Sequence, residues 1–541
     1  PAPSPVPALP LAPIGHNPDI LTCLANLSAD EVFTPPKVAS AMLDLLPRDL
    51  FRRADTTFLD PACKTGVFLR EIARRLNDGL RDQMPDEQAR VDHILTEQVF
   101  GLATSELTGA IGRRSLYCSK KADGKFSIAT KFTTFEGNIR LPRTQHRWDS
   151  NGRCENCGAS RGEYDRGTAR EAYAYPFIHE VDPRELFNVR FDVVVGNPPY
   201  QLSDGGGSGT SATPVYNRFV EQAKKLEPRY LVMVIPSRWF TGGKGLDEFR
   251  SSMLTDNRIR SIDDYLMASD VFPGVALKGG VCYFLWDRDN PGACHVTTHL
   301  KGEAPSRVSR KLLEDGVDVF IRHNEGLSIL KKVVAAESGG SNSLALPEGK
   351  RFDRLVSTRK PFGLDSVFKG KGAKGNNDLV VYSKGGEGYA PRRGIKAGAP
   401  LIDKWKVFVG FAAPGTGNKD TYPHRIISTP FIGEPGSISS ETYLCIGPLE
   451  SKKQAESVLS YLSCRLTRLL ILLHKPSQNT TRKVYTFVPA QKWNRPWTDE
   501  QLYAKYGITE NEIAFIESMV RPMDCNDTGH EDPSSGAEDD E

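Results

Sequence analysis

The stretch "FDVVVGNPPYQ", residues 191–201, decides how the rest of the chain is read. Val193, Val194 and Val195 make a short apolar run of the kind that forms a buried strand. The run ends at Gly196 and passes directly into Asn197-Pro198-Pro199-Tyr200. Two consecutive prolines remove two backbone donors and fix two φ angles, so the segment can join neither a helix nor a ladder and makes a stiff turn. Asn197 offers a carboxamide oxygen and Pro198 a carbonyl, two acceptors able to converge on one exocyclic NH2, while Tyr200 offers a flat ring for stacking. Two acceptors on one amine hold it and draw its lone pair out of conjugation, which makes the nitrogen a better nucleophile. The segment reads as a rigid clamp for a planar amine. A simple proline turn explains one proline after an asparagine but explains the tetrapeptide poorly.

Working outward, strand-like and helix-like segments alternate from about 31 to 300. "TTFLD" is a strand and "TGVFLREIARRLNDGL" (65–80) an amphipathic helix. "QVFGLAT" and "ELTGAIGRRSLY" repeat the pair, as do "RFDVVVG" and "VYNRFVEQAKKL". "RYLVMVIP", "IRSIDDYL" and "GGVCYFLWDR" supply three more strands. Such alternation predicts an α/β fold, a mostly parallel sheet with helices on both faces. Ligands of such sheets bind at the carboxyl ends of strands, where both Asp60 and Asn197 fall. Beyond about 340, short strand candidates ("DLVVYS", "WKVFVGF", "RIISTPFI", "TYLCIG") and a helical run, "SKKQAESVLSYLSCRLTRLLILLHK", predict a separate α+β or mainly β domain with a helical end.

At 541 residues, 39% hydrophobic and 25% charged, the chain has the size and composition of two or three globular domains. The proline-rich start, "PAPSPVPALPLAPIG", lacks the charged and apolar regions of a secretion signal and predicts an extended arm over 1–30. No apolar run is long enough to span a bilayer, so a cytoplasmic protein without a membrane partner is expected. The net charge of +3 conceals a division. Residues 523–541 carry eight acids and no Lys or Arg, whereas residues 350–425 carry 16 Lys and Arg against six Asp and Glu. A basic block of that size suits a phosphate-rich partner, and the acidic tail is expected to be disordered.

"FLDPACKTG" places Asp60 at a strand end and Gly66 at the turn into a helix, a loop that lets backbone N–H groups face a ligand. It lacks the glycine patterns of dinucleotide and nucleoside triphosphate sites, which disfavours hydride transfer and ATP hydrolysis. "HRWDSNGRCENCG" supplies His146, Cys154 and Cys157, with Cys118 upstream in "LYCSKK". Cys-x-x-Cys before a glycine is a metal knuckle, and four N/S ligands suit one tetrahedral, structural Zn2+ in an insertion over 118–160.

With "EVFTPPKVASAMLDLL" (31–46), "DPACKTG" and "NPPY" in this order, the chain resembles the S-adenosylmethionine-dependent amino-group DNA methyltransferases. It is similar to the gamma arrangement of adenine-specific members that form the methylase component of restriction-modification systems. The resemblance covers most of 31–523. It implies a Rossmann-like catalytic domain over 31–300 and a DNA target-recognition domain over 301–522. Phe33, Thr34, Asp60, Pro61, Ala62 and Gly66 would bind the cofactor's amino-acid end. Glu106 would replace the usual ribose acid, since Ala103 and Thr104 stand at that position. His179 sits near the expected adenine of the cofactor. Asn197 and the Pro198 carbonyl would hold the N6 amine of an adenine flipped out of duplex DNA, Pro199 would stiffen the turn, and Tyr200 would stack on the base. Lys64 stands where the family loop usually has glycine. The alternatives are N4-cytosine methylation, which has the same donor geometry, and a DNA-binding subunit with a lapsed active site. A separate restriction endonuclease or other defence subunit is the expected protein partner.

Overall fold

The computed structural model describes residues 32–165, 174–179, 181–202, 213–243, 245–275, 277, 279–300, 302, 304–340, 343–413, 422–475 and 479–523. The proline-rich arm and the acidic tail lie outside the described residues. The chain divides into two compact units, Pro1–Ile235 and Pro236–Glu541.

The first unit is built on five parallel strands: β1 (Phe58–Asp60), β2 (Val99–Leu102), β3 (Ile139–Arg140), β4 (Val193–Gly196) and β5 (Tyr230–Pro236). Their spatial order is β5-β4-β1-β2-β3. Phe58 lies opposite Val99 on one side and Val193 on the other. The β1, β2 and β4 strands are buried throughout, as parallel strands covered on both faces must be. Helix α1 spans Pro36–Leu43 and starts on a proline, whose missing N–H costs nothing in the first turn. Helix α2 (Val67–Gly79) buries Leu69, Ile72 and Leu76 at helical spacing, and its outer Glu71 pairs with Arg74 and Arg75 at 2.7 and 2.9 Å. Helix α3 (Glu106–Tyr117) opens on a capping box between Ser105 and Thr108. Helix α4 (Tyr216–Lys225) follows the NPPY segment. The strand order reverses between β1 and β4, so the two motif-bearing loops leave the sheet at its switch point.

In the second unit, β6 (Ile259–Tyr265), β7 (Val281–Asp287), β8 (Cys294–His299) and β9 (Ser306–Arg310) run in the order β9-β8-β6-β7. A domain boundary at 300, as the sequence suggests, would cut the β8–β9 hairpin, whose strands pair from Cys294–Arg310 to Thr298–Ser306. Helix α5 (Asn324–Ser338) follows. Two three-stranded sheets come next. Strands β10 (Asp378–Ser383) and β11 (Gly386–Pro391) pair as a hairpin beside β14 (Ser437–Ser439). Strands β12 (Trp405–Gly410), β13 (Phe431–Gly433) and β15 (Tyr443–Leu449) form the other. The expected strand "RIISTPFI" is therefore realised only at its end.

The predicted long helix is two, α6 (Lys452–Ser463) and α7 (Arg465–His474), broken at Cys464, whose backbone is extended. The break is held by Asp499, whose carboxylate accepts from the Arg465 and Leu466 amides at 2.9 and 3.0 Å and so caps α7. Leu469, Leu470 and Ile471 of α7 join Leu330 and Val333 of α5 and Ile446 of β15 in one apolar core. Among the described residues no helix is long and apolar enough to cross a membrane.

Candidate active site and metal cluster

Asp60 ends β1 and Gly196 ends β4 on the adjacent strand. Glycine is required at 196 because a Cβ there would sit 2.9 Å from Asp60 Oδ1. After Asp60 the chain turns tightly, with the Ala62 amide donating to Asp60 Oδ1 at 3.0 Å and the Lys64 amide to the Ala62 carbonyl at 2.8 Å. Gly66 then takes φ +70° to enter α2, and a Cβ on it would meet the Gly112 carbonyl of α3 at 3.1 Å. Only glycine combines that conformation with that approach.

The loop faces a cleft of about 210 Å³ whose lining includes Thr34, Asp60, Ala62, Lys64, Gly66 and Asn197. At its floor the Asn197 Nδ2 donates to the Val32 carbonyl at 2.9 Å and to Thr34 Oγ1 at 3.0 Å. A carbonyl can only accept, so this contact fixes which end of the amide is nitrogen. The opposite end, Oδ1, is buried and accepts no hydrogen bond among the described residues. An orphaned acceptor of this kind costs stability unless a ligand donates to it. Lys64 Nζ also donates to the Val32 carbonyl, at 2.9 Å. The residue standing in place of the family's glycine thus folds back and shares one acceptor with Asn197. Burial pushes the Asp60 carboxyl up to about 7, against the opposing pull of the Ala62 N–H and the Lys64 cation.

The structure therefore brings together Thr34, Asp60, Ala62, Gly66 and Asn197. Phe33 is half-buried and Pro61 buried, and neither lines the cleft. Glu106 is exposed in the first turn of α3 and is not among the lining residues. Pro198 and Pro199 are buried, as is Tyr200 at 4% exposure, so a base could stack on the Tyr200 ring only after neighbouring chain moves. Val32 carries no signal in the sequence, because its contribution is a backbone carbonyl. Lys64 does carry one, as the departure from the family loop.

A second cluster gathers His146, Cys154, Cys157 and His179, whose ligand atoms all lie within 4.8 Å of one another. Cys118 is not among them. It is the exposed, left-handed residue (φ 59°) that ends α3, and its role is to terminate the helix. His179 takes the fourth place instead, with Nε2 at 3.5 Å from Cys154 Sγ, and is not among the residues that line the cleft.

The basic block is partly spent on internal pairing. Arg351 pairs with Asp353, Arg359 with Glu441 and Arg392 with Asp403, while Lys406 is buried and donates to the Ile402 and Ser437 carbonyls at 2.9 Å. Lys369, Lys371, Lys374, Lys384, Arg393 and Lys396 are exposed on and around the β10–β11 hairpin, with no carboxylate partner among the described residues.

Residues 97–272, which include Asn197, match the Eco57I restriction-modification methylase family. An uncharacterized adenine-specific methylase of Mycoplasma pneumoniae is 34% identical over 314 residues, covering 53% of this chain and 74% of that protein. The chain belongs to this family of adenine-specific restriction-modification methylases. Looser likeness extends to solved structures. A modification subunit of a type I restriction enzyme from Vibrio vulnificus is 15% identical with a TM-score of 0.32, over 52% of this chain and 49% of that one. The type IIL enzyme MmeI in complex with DNA is 12% identical with a TM-score of 0.41, over 86% and 65%. The chain spans about half the length of the type I subunits it resembles.

Proposed function

We propose that this chain transfers a methyl group from S-adenosylmethionine to the N6 amine of an adenine in duplex DNA, as the modification component of a restriction-modification or related defence system. The observation that carries the reading is the orphaned, buried Oδ1 of Asn197, locked in orientation by the Val32 carbonyl and Thr34. An acceptor held so needs a donor, and an exocyclic amine is one.

The cleft suits the amino-acid end of the cofactor. Asp60 is a desolvated carboxylate whose neighbourhood favours the arrival of a cation, and Gly66 opens the start of α2 to close approach. When bound, the cofactor supplies an electrophilic methyl on a sulfonium. The chain's own part is positioning. Asn197 Oδ1 accepts one N6 hydrogen, the Pro198 carbonyl takes the second, and the nitrogen lone pair is turned toward the cleft. Tyr200 stacks on the flipped base once its covering moves. The unpaired cations from Lys369 to Lys396 provide phosphate contacts that set affinity rather than sequence. A separate endonuclease would complete the system.

The test is methyl transfer from labelled S-adenosylmethionine to unmethylated genomic DNA, followed by digestion and mass spectrometry of the nucleosides. N6-methyladenine, absent with Asn197→Ala, is the expected result. N4-methylcytosine would keep the clamp and replace the base. Label in no nucleoside, with cofactor bound, would point to a DNA-binding subunit with a lapsed site.

A further inference from the structure

We propose that His146, Cys154, Cys157 and His179 form a structural, tetrahedral Zn2+ site that ties the polar insertion to the chain leading into β4. The four ligand atoms lie within 4.8 Å of one another. Cys154 Sγ lies 3.5 Å from His179 Nε2, and Cys157 Sγ lies 3.4 Å from His146 Nδ1. A tetrahedron with metal–sulfur bonds of about 2.3 Å and metal–nitrogen bonds of about 2.05 Å has a sulfur–nitrogen edge of about 3.6 Å. Two sulfur–nitrogen edges are thus already near that length, and with all four ligand atoms within 4.8 Å of one another the set needs only a small contraction to accept the ion.

The histidine tautomer agrees. His179 Nδ1 lies 2.8 Å from the Tyr175 carbonyl, which can only accept, so the ring proton is on Nδ1 and the Nε2 lone pair faces the sulfurs. A metal-bound histidine fixed by a backbone carbonyl on its far nitrogen is the usual supporting arrangement. The His146 ring is held too, 4.8 Å from Trp148 and 5.7 Å from Tyr164 by ring centres. The knuckle is shaped for two sulfurs. The Gly158 amide donates to the Cys154 carbonyl at 2.8 Å, and Gly158 takes φ +77°. Both cysteines are free thiols and buried, so they are not spent on a disulfide.

Two thiolates and two neutral imidazoles select a borderline-soft ion and exclude Ca2+ and Mg2+, which want oxygen. All four positions are filled by protein, so the ion has no place for a water and is not catalytic. Its effect is mechanical. The insertion has little regular structure, with a two-residue strand and a four-residue helix over Arg161–Tyr164. Just before His179 in the chain, Tyr175 and Phe177 pack on Phe219 of α4, each at 5.7 Å between ring centres. The metal would therefore join the insertion to the aromatic contacts that seat the helix after NPPY.

The experiment uses untagged wild-type protein purified without chelator. Metal analysis should find about one zinc per chain, and zinc-edge X-ray absorption should count about two sulfur and two nitrogen neighbours. No zinc, a Cys154–Cys157 disulfide, or a mainly oxygen shell would overturn the proposal. Three sulfurs would overturn the ligand set and return Cys118 to it. In parallel, competition with a zinc chelator should show affinity unchanged in Cys118→Ser and lowered by at least roughly a hundredfold in His179→Ala. Equal affinity in both variants would remove His179 from the site. If His179→Ala does not fold, the absorption spectrum of the wild type decides alone.

Discussion

Two buried carboxylates in this molecule are treated in opposite ways. Asp264, in the second unit, accepts from Ser237 Oγ at 2.7 Å and from Arg322 Nε and Nη2 at 2.6 and 2.7 Å, and Arg322 Nη1 donates to the Gly279 carbonyl at 2.7 Å. Every charge there is answered. Asp60, in the first unit, accepts from one backbone amide at 3.0 Å, and Asn197 Oδ1 accepts nothing among the described residues. The second arrangement is one that folding alone would not favour, because each unanswered buried acceptor costs roughly 1–3 kcal/mol. A cluster satisfied from within holds a fold; one left open beside a cleft has an acceptor free for a donor from solvent or ligand.

The comparison breaks most readily at the closed cluster. Asp264→Ala or Arg322→Leu leaves one charge without its partner and should cost about 3–5 kcal/mol in urea unfolding. Loss of under about 1 kcal/mol would mean that the pair is not structural. The next effect is on chemistry. Asn197→Ala should lower kcat by roughly 10²–10³-fold, the scale of losing one preorganised contact in a reacting site. Its stability should fall by no more than about 2 kcal/mol, because losing the Nδ2 bonds to Val32 and Thr34 is partly offset by removing an unsatisfied acceptor. Equal losses of stability at Asn197 and Asp264 would erase the distinction drawn between the two sites.

Lys64 sharpens the open side. It shares the Val32 carbonyl with Asn197 Nδ2, so removing its ammonium alters the field and the placement of that carbonyl without touching the amine acceptor. Lys64→Met, which keeps the stem, should lower kcat roughly tenfold and leave KM for DNA unchanged. A drop in Tm of several degrees with kcat intact would make Lys64 a packing residue and not a positioning one.

How far the sequence reached follows from which information is local. Strand ends, turns and the order of β1, β2, β4 and β5 are set by short apolar runs and by Gly and Pro, and these are visible in "FLDPACKTG" and "FDVVVGNPPYQ". The position of Asn197 at the end of β4, on the cleft, was legible for the same reason. The contacts that orient it were not, since one partner is a backbone carbonyl at Val32 and another is a lysine that replaces glycine. The cluster of His146, Cys154, Cys157 and His179 shows the same limit. Cys154 and Cys157 announce themselves by spacing, but the partner at 179 is brought in by the fold, while Cys118, nearer the helix end in sequence, caps α3. The break at Cys464 has no proline or glycine to mark it and depends on Asp499, 35 residues on in the sequence.

The smallest effect is the one that measures the open site's cost. Burial raises the Asp60 carboxyl to about 7, whereas in the unfolded chain it titrates near its usual value of about 3.9. Below about pH 4 both states hold the proton, and Asp60 adds no pH dependence. As pH rises from about 4 to about 7 the unfolded chain releases the proton and the native state keeps it, so native stability falls across that window and levels off above it. Full expression of the shift would be worth about 4 kcal/mol, and solvent and cation entry should reduce the observed slope to about 1–2 kcal/mol in total. Unfolding followed by urea at pH 4.5, 6 and 7.5, in wild type and Asp60→Asn, isolates this contribution as the difference between the two curves. Asp60→Asn should be the more stable of the pair at pH 7.5 and should bind S-adenosylmethionine more weakly. If the difference instead grows in favour of wild type as pH rises, Asp60 is already answered by a partner in the free protein and the contrast with Asp264 fails.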